Sequence, residues 1–448
     1  MASALARMGL TEQSKAMIVT EGAIPPLAKM ISTGKLEGKT AALGALQNLS
    51  THPENRDPMI NAGVIPTLIQ VLVSVTSVSM NLKEVAAATL ANLATAAVSN
   101  GDNISNSVDS EKGLNDVSDS EGSGIIGNIP ASGMDIRNML NSDDTILQLL
   151  SLLNLVGPTN QGHLLRALNG MASSPPPTAT LVRTKMREAN AYQLLLPFCE
   201  VKDVEIRANA VKLLYKLSEE EGIKDEFSEL FGQTYICALV KLLSSERDDE
   251  KVAAAGVISK LPENDSRLTE LLCNADALTP FLNILQRGTE SSFTSRRSRS
   301  QLLEMASRAL MRFTLPSNIG LQHLVAQKNA IPLLVRVLAI GSPLAKKEAA
   351  LVLSRFSENT AKLTSPIGND NTRCGCFSLL RKPEAMCRVH TGVCSVKGSF
   401  CLVEAGAVGP LIRMLDEEME IDEVHEASLG ALSTLLKDET WEKGIEVI

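Results

Sequence analysis

Aromatic residues are scarce: one Trp, three Tyr and nine Phe in 448 residues. That leaves little for base stacking or for an aromatic-lined pocket. Positive charge is also short, with 43 Lys and Arg against 51 Asp and Glu and a formal net charge of -8. The chain therefore lacks the broad basic footprint that nucleic acid or an anionic membrane surface attracts, and no nucleic-acid partner is expected. No apolar run approaches the roughly 20 residues that cross a bilayer, and the best, Ala330 to Ile340, is interrupted by Arg336. No transmembrane segment is expected, and Met1 to Gln13 lacks the continuous apolar stretch of a secretory signal. The cysteines show no paired framework, which fits a reducing, cytoplasmic setting.

Catalytic signatures are missing as well. The sequence contains no phosphate-binding G-x-x-x-x-G-K-[ST] loop, no G-x-S-x-G elbow and no H-E-x-x-H pair. Its histidines, His52, His163, His323, His390 and His425, are scattered along the chain. No catalytic site is expected.

What is present is a repeat. Gly22-Ala23-Ile24-Pro25-Pro26-Leu27 returns as Gly63-Val64-Ile65-Pro66-Thr67-Leu68, an offset of 41 residues, and each copy runs into an Ala/Leu-rich stretch closing on Asn48-Leu49 or Asn92-Leu93. Offsets of 168, 212 and 307 place Leu217, Leu261 and Phe356 on Leu49 without a gap. Looser copies run from Asp276 to Phe313, from Glu404 to Leu435 and from about Thr145 to Met171. A period in the low forties, with Gly and Pro opening a helix and an Ala/Leu-rich helix closing the unit, is the armadillo pattern. The expected fold is all-α: a right-handed superhelical solenoid of about eight armadillo repeats, each burying its apolar faces against its neighbours. Both ends align inside repeat units, which reads as a piece cut from a longer solenoid.

Two stretches break the period. Residues 99–143 are rich in Ser, Asn, Asp and Gly and too poor in large apolar residues to offset the entropy of ordering. They are expected to form a disordered acidic linker between repeats in 1–98 and 144–448. A shorter basic loop is expected where Ser295-Arg296-Arg297-Ser298-Arg299-Ser300 interrupts a copy. The second long insertion, 361–402, holds Cys374, Cys376, Cys387, Cys394 and Cys401 with His390 among them. Thiolates and one imidazole at such spacing can close a structural zinc site, although the paired C-x2-C knuckles are absent. The alternative is a set of reduced thiols packed on adjacent helices.

The residues closing each unit should form one ladder along a groove: Asn48, Asn92, Asn169, Lys216, Lys260, Arg312, Arg355 and Thr434. An amide can hold an extended peptide backbone, and a cation can hold acidic side chains, so a protein substrate or receptor is the expected partner. Armadillo import receptors place a Trp four residues before that Asn, where this chain has Gly44, Ala88 and Leu165.

The opening motif Glu21-Gly22-Ala23-Ile24-Pro25-Pro26-Leu27, the stretch Cys387-Arg388-Val389-His390-Thr391-Gly392-Val393-Cys394, and Ser399-Phe400-Cys401-Leu402-Val403-Glu404-Ala405 together resemble the armadillo region of plant U-box E3 ubiquitin ligases. The resemblance is to their senescence-associated subgroup, which sits peripherally at the plasma membrane. It implies a cytoplasmic interaction scaffold whose repeats choose a substrate or receptor while a U-box recruits the ubiquitin-charged partner enzyme. Residues 1–60 already read as repeats, so ligase activity is not expected of this chain by itself. Two functions fit that resemblance: the substrate-selecting part of such a ligase, and a stand-alone armadillo adaptor that regulates full-length relatives.

Overall fold

The structure, a computed structural model, describes residues 11–74, 80–102, 144–174, 178–219, 228–290, 295–357, 364–365, 393–394, 402, 405–416 and 422–436. It divides into two compact units, Met1–Glu220 and Glu221–Ile448.

In the first unit, α1 (Glu12–Thr20), α2 (Ile24–Thr33) and α3 (Leu36–Leu49) make one repeat, and α4 (Arg56–Asn61), α5 (Val64–Val73) and α6 (Met80–Asp102) make the next. Two helices follow, α7 (Asp144–Leu152) and α8 (Pro158–Ala172), then α9 (Thr178–Glu188), α10 (Ala191–Leu195) with a 3-10 turn through Glu200, and α11 (Val204–Ser218). The second unit holds α12 (Gln233–Leu242), α13 (Asp248–Ser259), α14 (Ser266–Asn274), α15 (Leu278–Thr289), α16 (Arg296–Met311), α17 (Ile319–Gln327), α18 (Ala330–Ile340), α19 (Pro343–Ser357), α20 (Val408–Asp416) and α21 (Asp422–Leu436). Two-residue strands β1 (Thr364–Ser365) and β2 (Val393–Cys394) pair antiparallel. Among the described residues, eight helices occupy the closing position of a repeat: α3, α6, α8, α11, α13, α16, α19 and α21.

The opening turn explains the sequence pattern. Gly22, Gly63 and Gly406 have φ of 82°, 72° and 80°, and the same position elsewhere holds Asn190, Asp276 and Asn329 at 55°, 52° and 65°. Only Gly, Asn and Asp enter the left-handed region cheaply, so the repeat tolerates three residue types there and no bulky one. After the turn, prolines at the first positions of α2 suit a helix start, where a missing N–H costs nothing. Ile24, Leu27 and Ile31 then share one buried face.

Closing helices are sandwiched, and their composition follows from that. In α3, Ala42, Leu43, Ala45, Leu46 and Leu49 are all essentially inaccessible. Within each unit consecutive closing helices touch: α3 on α6, α6 on α8 and α8 on α11 in the first, α13 on α16, α16 on α19 and α19 on α21 in the second. The helices preceding them form a second row, α2 on α5 and α5 on α7 in the first unit, α15 on α18 and α18 on α20 in the second. Each Leu, Ile or Phe buried between rows contributes about 1.5–3 kcal/mol, so interfaces between repeats hold the fold. The apolar run 330–340 is such a core helix: in α18, Ile331, Leu334, Val337 and Leu338 are buried and Arg336 is exposed. No single helix among the described residues is long and apolar enough to cross a membrane.

The structure corrects two expectations. Helix α6 continues to Asp102, past the boundary expected at residue 98, and packs on α8, so helical stacking resumes across the acidic stretch inside one unit. The rest of that stretch lies outside the described residues. The expected basic loop at 295–300 is the first turn of α16, with the Ser295 hydroxyl capping the Ser298 N–H at 3.5 Å and Arg299 Nε donating to the Gly288 carbonyl at 2.6 Å.

The α6–α8 contact depends on one glycine. A Cβ at Gly170 would lie 2.5 Å from both the carbonyl carbon and oxygen of Ala94, where backbone cannot yield. Gly170→Ala is expected to lower stability by about 1–3 kcal/mol in urea unfolding of the whole chain, as overpacking does elsewhere. An unchanged midpoint would mean that α8 can move off α6 without cost.

Candidate functional site

A helix leaves its last four carbonyls without intrahelical partners, and α3, α8, α11, α13, α16 and α19 end among neighbouring helices. Side chains from neighbouring helices supply the missing donors. Asn55 Nδ2, on a residue 2% exposed, donates to Leu49 O at 3.0 Å and Lys15 O at 3.2 Å. Arg183 donates to Ala172 O and Arg187 to Leu217 O, each at 2.9 Å. In the second unit Gln322 Nε2, fully buried, donates to Thr314 O at 2.7 Å and Arg355 O at 3.0 Å.

Of the predicted ladder, Arg312 and Arg355 take part in this bracing, and the other members make different contacts. Asn92 Nδ2 donates to Ser50 Oγ at 3.1 Å, and Asn169 Nδ2 to Asn209 O at 2.6 Å and Leu165 O at 3.0 Å. Asn48 is half-buried, and its carbonyl accepts the Thr51 hydroxyl at 2.7 Å. Lys216 pairs with Glu219 at 3.2 Å, one turn on. Lys260 is half-buried near the carboxylates of Glu304 and Glu348. Arg355 pairs with Glu263 and donates to Met311 O at 2.7 Å. Thr434 Oγ1 lies 3.4 Å from Ser354 Oγ and donates back to Ala431 O at 2.9 Å.

Arg312 departs from expectation. It does not line a groove: only 3% exposed, its guanidinium turns inward and donates to Leu261 O and Pro262 O, both at 2.8 Å. The reason is local, because Pro262 cannot continue α13 and the two carbonyls need a donor. Burial pulls its pKa down to about 10, which leaves it charged at neutral pH.

Other polar groups of the second unit's closing row lie one to three turns earlier on the same helices, with Arg308 and Glu423 exposed and Glu348 buried. Arg308, 40% exposed, faces Glu348 at 3.8 Å, and Lys347 pairs with Glu423 of α21. Glu304 and Glu348 sit among Arg308, Lys260 and Lys347, and burial followed, for Glu304, by repulsion from Glu348 raises both carboxyls above the usual range. In the first unit the matching strip carries Glu84, His163 and Arg166. There Arg166 Nη2 lies 3.3 Å from His163 Nδ1, and burial and that cation lower the imidazole's pKa, so it accepts as a neutral ring. Counting back four or eight residues from the ladder positions along the same helix face finds Arg308, Glu304, Lys347 and Glu84 in the sequence, but not Glu348, Glu423, His163 or Arg166.

Of the insertion's cysteines, Cys394 alone is among the described residues, its backbone paired with Thr364. Cys374, Cys376, Cys387, His390 and Cys401, the other proposed zinc ligands, lie outside the described residues. Among the described residues no cluster of three metal-ligating side chains occurs, and Cys199 is a buried thiol pushed up to about 12 by burial.

The Glu348 carboxyl yields a pH test. Its folded pKa is raised above the usual 4.5, so folding favours the protonated form: stability from this group is complete below that value and lost as pH rises through the raised one. Glu348→Gln should therefore raise the melting temperature relative to wild type at pH 7, and the difference should vanish near pH 4. A difference independent of pH would show that the carboxyl is not penalised by burial.

Comparison with known proteins matches this geometry. The armadillo/beta-catenin-like repeat family matches residues 11–51 and 52–95, two full three-helix repeats of the structure. U-box domain-containing protein 24 of Oryza sativa subsp. japonica is 32% identical over 98% of this chain and 53% of its own length. U-box domain-containing proteins 44 and 43 of Arabidopsis thaliana are 28% and 30% identical over 100% and 96% of this chain, and 53% and 51% of theirs. An engineered protein of known crystal structure shares the fold, with a TM-score of 0.59 at 19% identity over 97% of this chain and 94% of that one. The chain spans about half the length of the curated relatives it matches. It is an armadillo-repeat chain, homologous along its whole length to that half of plant U-box domain-containing proteins.

Proposed function

We propose that this chain is the partner-selecting region of a U-box type ubiquitin ligase, and that its protein partners dock along the closing-helix rows. The observation that carries the reading is end-to-end homology to half of several U-box proteins, joined to rows of stacked helices whose outward polar groups are ion pairs. The Lys347–Glu423 pair, with its carboxylate exposed, costs little to open and re-form with a partner's charges, and Arg308 presents an exposed cation over the buried Glu348. In this reading ubiquitin transfer belongs to the U-box, and the repeats determine what is brought to it. The work is done in the cytosol at the inner face of the plasma membrane, as the sequence resemblance implies. The cysteine insertion, with or without zinc, is a local elaboration of the same scaffold.

The test joins binding to chemistry. Proteins cross-linked to the chain in plant cytosol are identified, then supplied to the U-box-containing gene product with its ubiquitin-charged enzyme. Neutralising the strip with Arg308→Gln and Lys347→Gln should weaken capture of a true partner about fivefold to tenfold and reduce its ubiquitination in proportion. Circular dichroism confirms that the variant is folded. Capture that ignores both substitutions would exclude the strip as the docking face. A partner that is captured but never ubiquitinated would favour the adaptor reading instead.

A further inference from the structure

The second unit has a concave surface that the closing rows do not explain. On its outer side, between α15 and α18, lies a cleft of about 500 Å³. Its floor is Leu282 and Leu333, both nearly buried, and its rim is polar. A second cleft of about 360 Å³ flanks α15 on the other side and shares Asn283, Gln286 and Glu290 with the first. Helix α15 is thus a ridge with a depression on each side.

The charges around these clefts are unevenly committed. At one end Lys328 is tied to the Thr279 hydroxyl at 2.8 Å and faces Asp276 at 3.5 Å. On the ridge Gln286 Nε2 donates to Glu290 at 3.2 Å. Arg336, projecting from α18 into the first cleft, is exposed, and makes no hydrogen bond or ion pair among the described residues. Arg287, exposed and engaged in interactions of its own, lines the second cleft beyond the ridge, and the exposed amide of Asn283 stands between the two. This local excess of cations lies on a chain of net charge -8.

We propose that this outer surface is a second protein-docking site, which takes an extended acidic segment of a partner crossing α15. A carboxylate pairs with the Arg336 guanidinium, whose fork matches its two oxygens. The Asn283 amide holds the peptide backbone at the ridge through its donor and acceptor. A second acidic side chain reaches Arg287. The lining is mostly polar above the Leu282 and Leu333 floor, so charge and hydrogen bonding carry the recognition. The site is separate from the closing rows and stands whether or not partners dock there.

The experiment uses the whole chain and two labelled octapeptides, one alternating Glu with Gly and one alternating Gln with Gly, in low-salt fluorescence anisotropy. The Glu peptide should bind, the Gln peptide should not, and Arg336→Glu should weaken the Glu peptide about tenfold. Lys29→Glu, on the exposed face of α2 in the other unit, changes net charge equally and should leave binding within twofold. Equal loss in both variants would reduce the effect to overall charge and overturn the site. Binding of both peptides alike, or binding untouched by Arg336→Glu, would overturn it as well. Arg336 is exposed, so its variant folds, as circular dichroism will verify.

Discussion

The carbonyls at the ends of the closing helices set the terms for the rest of the molecule. Among the described residues, α3, α8, α11, α13, α16 and α19 each end with carbonyl acceptors that a neighbouring side chain reaches. The chain answers with long polar side chains reaching across from neighbouring helices: Asn55, Arg183, Arg187, Arg312, Gln322 and Arg355. An unpaired buried carbonyl costs about 1–3 kcal/mol, comparable with burying one large aliphatic side chain, so these bonds rank with the apolar interfaces in holding repeats in register. They also fix direction, which apolar contact alone does not.

That commitment explains where recognition chemistry is left. Residues at the end of a closing helix are drawn inward as braces, and Arg312 is the extreme case. Residues one to three turns earlier are not required by the backbone and form the ion pairs of Arg308 with Glu348 and Lys347 with Glu423. The same division separates the two helix rows. The closing row is crowded with Ala and Leu, whereas the row containing α15 and α18 leaves clefts between its helices.

The period, the fold class and the opening turns were legible in the sequence because steric rules write them directly: Gly at a positive φ and Pro at a helix start have few alternatives. The offsets of 168 and 307 likewise put Asn190 and Asn329 on Gly22, and Asp276 opens a looser copy, so the same turn was placed there although the residue type differs. The direction of Arg312 was not legible, since a helix position one residue from a groove reads the same whether its side chain turns out to solvent or back to a carbonyl. Residues 295–300 misled because three arginines in a first turn oppose the helix dipole, and only the packing of α16 against its neighbours outweighs that. The Glu304–Glu348 proximity arises between two helices far apart in sequence, so no local pattern announces it. The family resemblance rested on motif residues in the repeats and the cysteine insertion, and whole-chain homology supports it.

Bracing by side-chain donors is tested most directly by the urea unfolding free energy of Arg312→Leu. Leucine fills much of the buried space and removes a desolvated charge, so the loss falls on the carbonyls of Leu261 and Pro262 and, at a longer 3.4 Å, on the Thr269 hydroxyl. The account predicts a loss of about 2–4 kcal/mol, since two buried acceptors go unpaired. Stability equal to or above wild type, as happens when a buried charge is merely tolerated, would contradict it.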